Sequence, residues 1–138
     1  MNKKYVISLE ISKRMKDLGF KQESLWYWEE STHSIKNNDK TFTLALLKER
    51  RLKAIWIKYY SAYTVAELGT ILPDWFFTMR LDGGRGWCCV DEDAPIDSYG
   101  VKIDKKGGYY PECLADTEAN ARGLMACYLK ENKLLEVK

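Results

Sequence analysis

Thr64, with Glu67 three residues on and Pro73 closing the same segment, constrains this chain more than any other feature. Thr64 and Glu67 make a capping box, in which each side chain takes up a backbone N–H that the first helical turn leaves unpaired. Tyr63 and Leu68 flank the box at the spacing of a hydrophobic staple. Pro73 cannot donate to the i→i−4 ladder and biases Leu72 out of the helical region. The spacing predicts a helix of about two turns from Val65 to Leu72. It stands between two strand-rich halves, and Tyr63, Leu68, Ile71 and Leu72 read as core. The code of this stretch is structural and names no chemistry.

At 138 residues the chain fits a single domain spanning residues 1–138, with 46% hydrophobic and 30% charged residues as in ordinary globular proteins. The start, Met1-Asn2-Lys3-Lys4-Tyr5-Val6-Ile7-Ser8, is basic, yet Glu10, Lys13 and Arg14 interrupt any apolar signal core at once. No run approaches the roughly 18 apolar residues that a membrane span needs. These features predict a cytoplasmic protein without a membrane partner, whose four cysteines stay reduced. Net charge is only +2 but uneven: residues 1–60 hold 13 Lys/Arg against 7 Asp/Glu (+6), and residues 61–138 hold 9 against 13 (−4). Such polarity can steer an anionic partner to the first half, and it is equally what two halves of a self-complementary small domain show by chance.

Ser8 is placed to cap a first helix with Ile11, Met15 and Leu18 on one face, stopped by Gly19 with Phe20 folding back on Met15. Lys13, Arg14, Lys16 and Asp17 read as its solvated side. Leu25 to Glu29 and Thr41 to Leu47 read as strands, with a polar loop between them. The segment from Leu44 to Tyr60 reads as a hairpin with Lys48 to Leu52 at its tip, in preference to a helix beginning near Leu46. After the Thr64 helix, Phe77, Met79 and Leu81 alternate with Thr78, Arg80 and Asp82, which predicts a half-buried strand. Asp82 to Gly86 turns into a partner strand, Trp87 to Asp91. Tyr99 to Ile103 and Tyr109 to Leu114 read as further strands, the last an edge strand because Pro111 has no N–H. Asp116 or Thr117 caps a final helix with Ala121, Leu124, Met125 and Tyr128 facing the core and Asn132 as a left-handed stop. The expected order is α-β-β-β-α-β-β-β-β-α, an α+β fold in which an antiparallel sheet of hairpins is covered by helices.

Candidate chemistry is thin. Cys88, Cys89, Cys113 and Cys127 with His33 lack the two-to-four-residue spacing of structural zinc ligands, and one of Cys88 and Cys89, like Cys127, reads as core. His33 is the single histidine and sits in a polar loop, a poor setting for a base. Pro73-Asp74 with Asp104-Lys105-Lys106 has the form of a metal-dependent nuclease motif, but Asp104 and Lys106 enter a Gly-Gly turn. Asp91, Glu92, Asp93 and Asp97 lack the alternation of a calcium loop and read as a solvated acidic turn. No metal or cofactor is expected. Lys48, Arg50, Arg51, Lys53 and Lys58, interleaved with Trp56, Tyr59 and Tyr60, are the best candidates for nucleic-acid contact, with bases stacking on the rings.

Three stretches together carry a resemblance. They are Leu18-Gly19-Phe20 running on to Trp26-Tyr27-Trp28, the segment Tyr63 to Pro73, and Ala115 to Met125 with Tyr128 to Leu134. The chain resembles short uncharacterised proteins encoded by prophages and mobile elements of gut bacteria. Those proteins often have Asn-Gly where Asn132-Lys133 stands here. The resemblance implies a small phage-associated protein and carries over no catalytic residue.

The expectation is therefore a non-enzymatic interaction module that binds another protein or itself. Trp26, Trp28 and Trp56 are its candidate anchors, since Trp and Tyr dominate interface hot spots. The alternative expectation is a nucleic-acid accessory protein that uses the basic and aromatic residues from Lys48 to Tyr60.

Overall fold

The structure, a computed structural model, describes residues 2–30, 42–46, 58–111 and 113–135. After a 3-10 turn at Lys3–Tyr5 come helix α1 (Leu9–Asp17) and strands β1 (Trp26–Glu30), β2 (Phe42–Leu46) and β3 (Tyr59–Ser61). Helix α2 (Val65–Ile71) follows, then β4 (Phe76–Arg80), β5 (Trp87–Asp91), β6 (Leu114–Ala115) and helix α3 (Glu118–Glu131). The class is α+β. The strands divide into two three-stranded antiparallel sheets, ordered β2-β1-β3 and β4-β5-β6.

The caps follow the sequence closely because each is settled by side chains a few residues away. Ser8 Oγ accepts the Ile11 N–H at 3.3 Å at the start of α1. At its end Gly19, at φ +88, donates to Lys16 O at 3.0 Å, and Phe20 donates to Met15 O at 3.1 Å, which completes a Schellman motif. In α2 the box is closed on both sides: the Glu67 N–H reaches Thr64 Oγ1 at 3.2 Å, and the Thr64 N–H reaches Glu67 Oε1 at 3.1 Å. Thr117 caps α3 through the Asn120 N–H at 3.2 Å. The stop of α3 differs from expectation, since the left-handed residue is Lys133 (φ 56) and not Asn132. Asn132 donates from its own amide to Tyr128 O at 2.9 Å, which holds it beside the helix and passes the turn to its neighbour.

Three other expectations change. Strand β1 lies between β2 and β3, with Trp28 opposite both Leu44 and Tyr60, so β2 and β3 are not hairpin neighbours. The tip residues Lys48 to Leu52 lie outside the described residues. Tyr99 to Ile103 is not a strand, for Ile96–Lys102 and Ile103–Tyr109 are isolated bridges. Asp97 Oδ1 captures the N–H groups of Tyr99 and Val101 at 2.9 and 3.0 Å, so side-chain turn chemistry overrides the apolar alternation. Of the expected strand Tyr109 to Leu114, Leu114 pairs with β5 as part of Leu114–Ala115, Cys113 O accepts one further bond from β5, and Pro111 is exposed outside β6.

Helix α3 lies at the centre and packs on α1, α2 and all three strands of the second sheet. Burial is not confined to one stripe of it: Ala119, Ala121, Gly123, Met125, Ala126, Cys127 and Leu129 are all buried. The Ser8 N–H donates to Asn120 Oδ1 at 2.7 Å, and Arg14 donates from Nε and Nη2 to Glu131 Oε1 at 2.9 and 2.8 Å, so α1 is fastened to α3 at both ends. Helix α1 has two working stripes. Ile11, Met15 and Leu18 enter the main core with Ile7, Leu68 and Met125, whereas Leu9 packs on the first sheet with Val6, Trp28 and Ala62. Lys13, Arg14 and Lys16 are therefore not a merely solvated side.

Candidate functional site

The second sheet holds the feature with most to say about function. Register places Phe76 opposite Asp91, Thr78 opposite Cys89 and Arg80 opposite Trp87, and places Phe77 opposite Val90 and Met79 opposite Cys88. Alternation puts the first set on one face and the second on the other. Phe76 and Cys89 are buried in the main core. Thr78, between them in the pleat, meets polar groups of α3, its Oγ1 donating to Glu118 Oε1 at 2.6 Å. The Arg122 guanidinium donates to the same hydroxyl at 3.4 Å and to Val65 O at 3.4 Å.

The opposite face is apolar and open. Phe77 is 36% exposed, Met79 44% and Leu114 46%, with the half-buried Cys88 and Val90 between them. The alternation that predicts Phe77, Met79 and Leu81 as the buried side is thus inverted for Phe77 and Met79. The doublet Phe76-Phe77 leaves both faces of β4 apolar at its start, so alternation cannot choose between them. Glu118 and Arg122 then give the inward Thr78 its partners.

A cleft of about 420 Å³ continues this face at the edge of β5. Strand β6 covers β5 at Trp87 and Cys88, and one further bond runs from the Cys89 N–H to Cys113 O at 3.2 Å. Leu81, Cys88, Val90, Val101 and Leu114 line the cleft, and Asp91, Lys102 and Tyr110 give it a polar end. Tyr110 donates to Asp91 Oδ2 at 2.8 Å, and Lys102 Nζ donates to the carbonyls of Asp91 and Glu92 at 2.5 and 3.1 Å. Burial pushes the Cys89 thiol up to about 12, helped by Cys113 beside it. Burial likewise pushes Cys113 up to about 12 and Cys127 to about 11. These three sulfurs stay protonated at neutral pH, so they act as apolar packing and not as thiolate nucleophiles. Such a cleft suits an apolar side chain with a polar neighbour.

The remaining sequence candidates separate. Trp28 is only 7% exposed, on the central strand of its sheet, and its Nε1 donates to Ile7 O at 3.0 Å. It is core and not a free anchor. Trp26 is half-buried against the same cluster. Trp56, Lys48, Arg50, Arg51, Lys53 and His33 lie outside the described residues, and Lys58 is exposed. Of the nuclease-like set, Asp74 is exposed and Lys106 Nζ donates to Asn132 O at 2.7 Å. Among the described residues no three His, Cys, Asp or Glu side chains gather as a metal site. Asp97 is a turn-former, accepting the Tyr109 hydroxyl at 2.9 Å besides its two backbone bonds.

Asp104 is also structural. Its Oδ1 accepts the N–H groups of Lys106 and Gly108 at 2.8 and 3.0 Å, and Oδ2 accepts the Tyr128 hydroxyl. Burial alone would raise its pKa, but the Tyr128 and backbone hydrogen bonds outweigh that and hold it below the ordinary carboxylate value. Burial, then the bond to Asp104, pushes Tyr128 up to about 12. A depressed folded-state pKa adds stability above the unfolded value near 4, and that stability is lost as pH falls through the folded value. Thermal melts between neutral pH and pH 3 should therefore fall less steeply for Asp104→Asn than for the wild type, from a lower start at neutral pH. Parallel curves would mean that this carboxylate does not contribute to acid sensitivity.

The exposed apolar residues that sequence reasoning did not single out are Phe77, Met79, Leu114 and Val101, and the Phe76-Phe77 doublet is the signal for the first of them. Among the described residues no helix is long and apolar enough to cross a membrane. Compared with protein-family models, curated proteins and solved structures, the chain matches none of them.

Proposed function

We propose that this chain is a protein-interaction module, working by binding and not by catalysis, and that its outer β4-β5-β6 face docks a second copy of the chain. The observation that carries this reading is the apolar lining of Phe77, Met79, Cys88, Val90 and Leu114 on a sheet face that no helix covers among the described residues. An antiparallel sheet with one solvated face ordinarily turns polar residues outward; a face apolar on both sides is the pattern of a sheet covered twice. A two-fold axis through this face sets it against its own counterpart, so that Phe77 and Met79 are covered by the same residues of the second copy.

A cytoplasmic setting suits the reading, because the free cysteines at the face and core remain thiols there. The likeness to short prophage and mobile-element proteins is taken as one of scaffold, since its segments are caps and core packing. Sedimentation velocity over micromolar to near-millimolar concentration tests the proposal. A sedimentation coefficient that rises toward a dimer supports it. A monomer throughout removes self-association and leaves only a different protein as occupant of the face.

A further inference from the structure

We infer that α1 and the first sheet form a binding surface for single-stranded nucleic acid, with Lys13, Lys16 and Lys58 on phosphates and the rings of Phe42 and Tyr60 beneath bases. This surface is separate from the second-sheet face and does not depend on it.

The inference rests on where α1 puts its lysines. Leu9, Lys13 and Lys16 follow one another at i, i+4 and i+7, so anchoring Leu9 on the first sheet carries both lysines over it. Lys13 Nζ lies 5.1 Å from the Phe42 ring centroid and 5.8 Å from that of Tyr60. Lys16 Nζ lies 4.9 and 5.0 Å from the centroids of Tyr59 and Tyr60, and donates to Tyr59 O at 3.1 Å. The Phe42 and Tyr60 rings are neighbours, 5.8 Å apart. Register puts Phe42 and Tyr60 on one face of the sheet and turns Tyr59 to the other, edge-on to Tyr27. Both lysines and Lys58 are exposed, and the Phe42 and Tyr60 rings are half-buried. The acidic residues nearest in sequence are Glu10 and Asp17, each one step further round α1, and Glu30, whose Oε2 accepts the Lys58 N–H at 3.5 Å.

The energetics favour exchange of one partner for another. A base stacked on an aromatic ring is worth more than an exposed cation–π contact. A lysine that swings from ring to phosphate gains a charge-assisted bond and uncovers a π-face for the base that follows. Duplex bases are already stacked on one another, so the rings select a single strand. The sequence puts such a footprint between Lys48 and Tyr60. The fold also brings lysines from α1 to rings 29 to 47 residues away, a distance across which no local motif can be read.

Fluorescence anisotropy with labelled oligo-dT and oligo-U of about 15 nucleotides tests this, a length near the upper site size of one small binding domain. The wild type should bind at low salt and weaken as salt rises. Lys13→Ala with Lys16→Ala should lower the slope of log K against log salt by about 1.4, at about 0.7 per lost phosphate contact, and weaken binding about tenfold or more. Tyr60→Leu should weaken oligonucleotide binding with no change in slope and leave heparin binding unaltered. Circular dichroism confirms that each variant is folded. A preference for dT or for U identifies the sugar, and either one supports the inference. No binding at low salt, an unchanged slope in the lysine variant, or equal affinity for heparin or duplex would overturn it.

Discussion

Phe77→Lys combined with Met79→Lys is expected to weaken self-association about 100-fold or more, equivalent to roughly 3 kcal/mol, while leaving the folded monomer intact. Both side chains point away from the core, so the monomer loses little when they change. In a dimer the same positions would face each other across the two-fold axis, where like charges in an apolar contact cannot be hydrated. Sedimentation at fixed concentration should return the double variant as a monomer with a wild-type circular dichroism spectrum. Leu25→Lys is the control, since Leu25 is as exposed but belongs to the first sheet's side of the molecule. If Leu25→Lys disrupts the dimer and the double variant does not, the contact face has been misplaced.

Gly86→Ala should destabilise the fold by about 2–5 kcal/mol, from left-handed strain plus overpacking. Gly86 has φ +101, and a Cβ there would stand 2.3 Å from Ala115 O, a backbone atom that cannot swing aside. It sits where the β4–β5 turn meets β6, so the damage falls on the corner that shapes the open face. Gly83→Ala separates the two causes. Gly83 has φ +73 with nothing within 4 Å of a new Cβ, so it reports strain alone, about 1–2 kcal/mol. Urea melts of the two variants should differ by the cost of the collision. Equal midpoints would mean that β6 does not close on the turn as described.

What was legible in the sequence was local. Ser8, Gly19, the Thr64–Glu67 pair and Thr117 act within four residues of themselves, and each stands where the spacing puts it. What was not legible depends on residues far apart in the chain. Alternation identifies two faces of β4 without saying which is inside, and that choice was made by Glu118 and Arg122, some 40 residues on. The insertion of β1 between β2 and β3 is a matter of topology, to which strand composition is blind. Lys13 and Lys16 read as solvated because the rings they cover come from β2 and β3. Trp28 read as an anchor because burial of a tryptophan on a central strand cannot be told from composition. The sites lay in this second category, which is why the fold class was readable and the candidate surfaces were not.

The most direct measurement of the central claim is an isotope-filtered NOE experiment on an equal mixture of labelled and unlabelled protein at high concentration. The account predicts intermolecular cross-peaks from the methyl groups of Met79, Val90 and Leu114, with none from Leu44 or Leu46 on the first sheet. Their absence from the three β4-β5-β6 methyls, in a sample that sediments as a dimer, would contradict it.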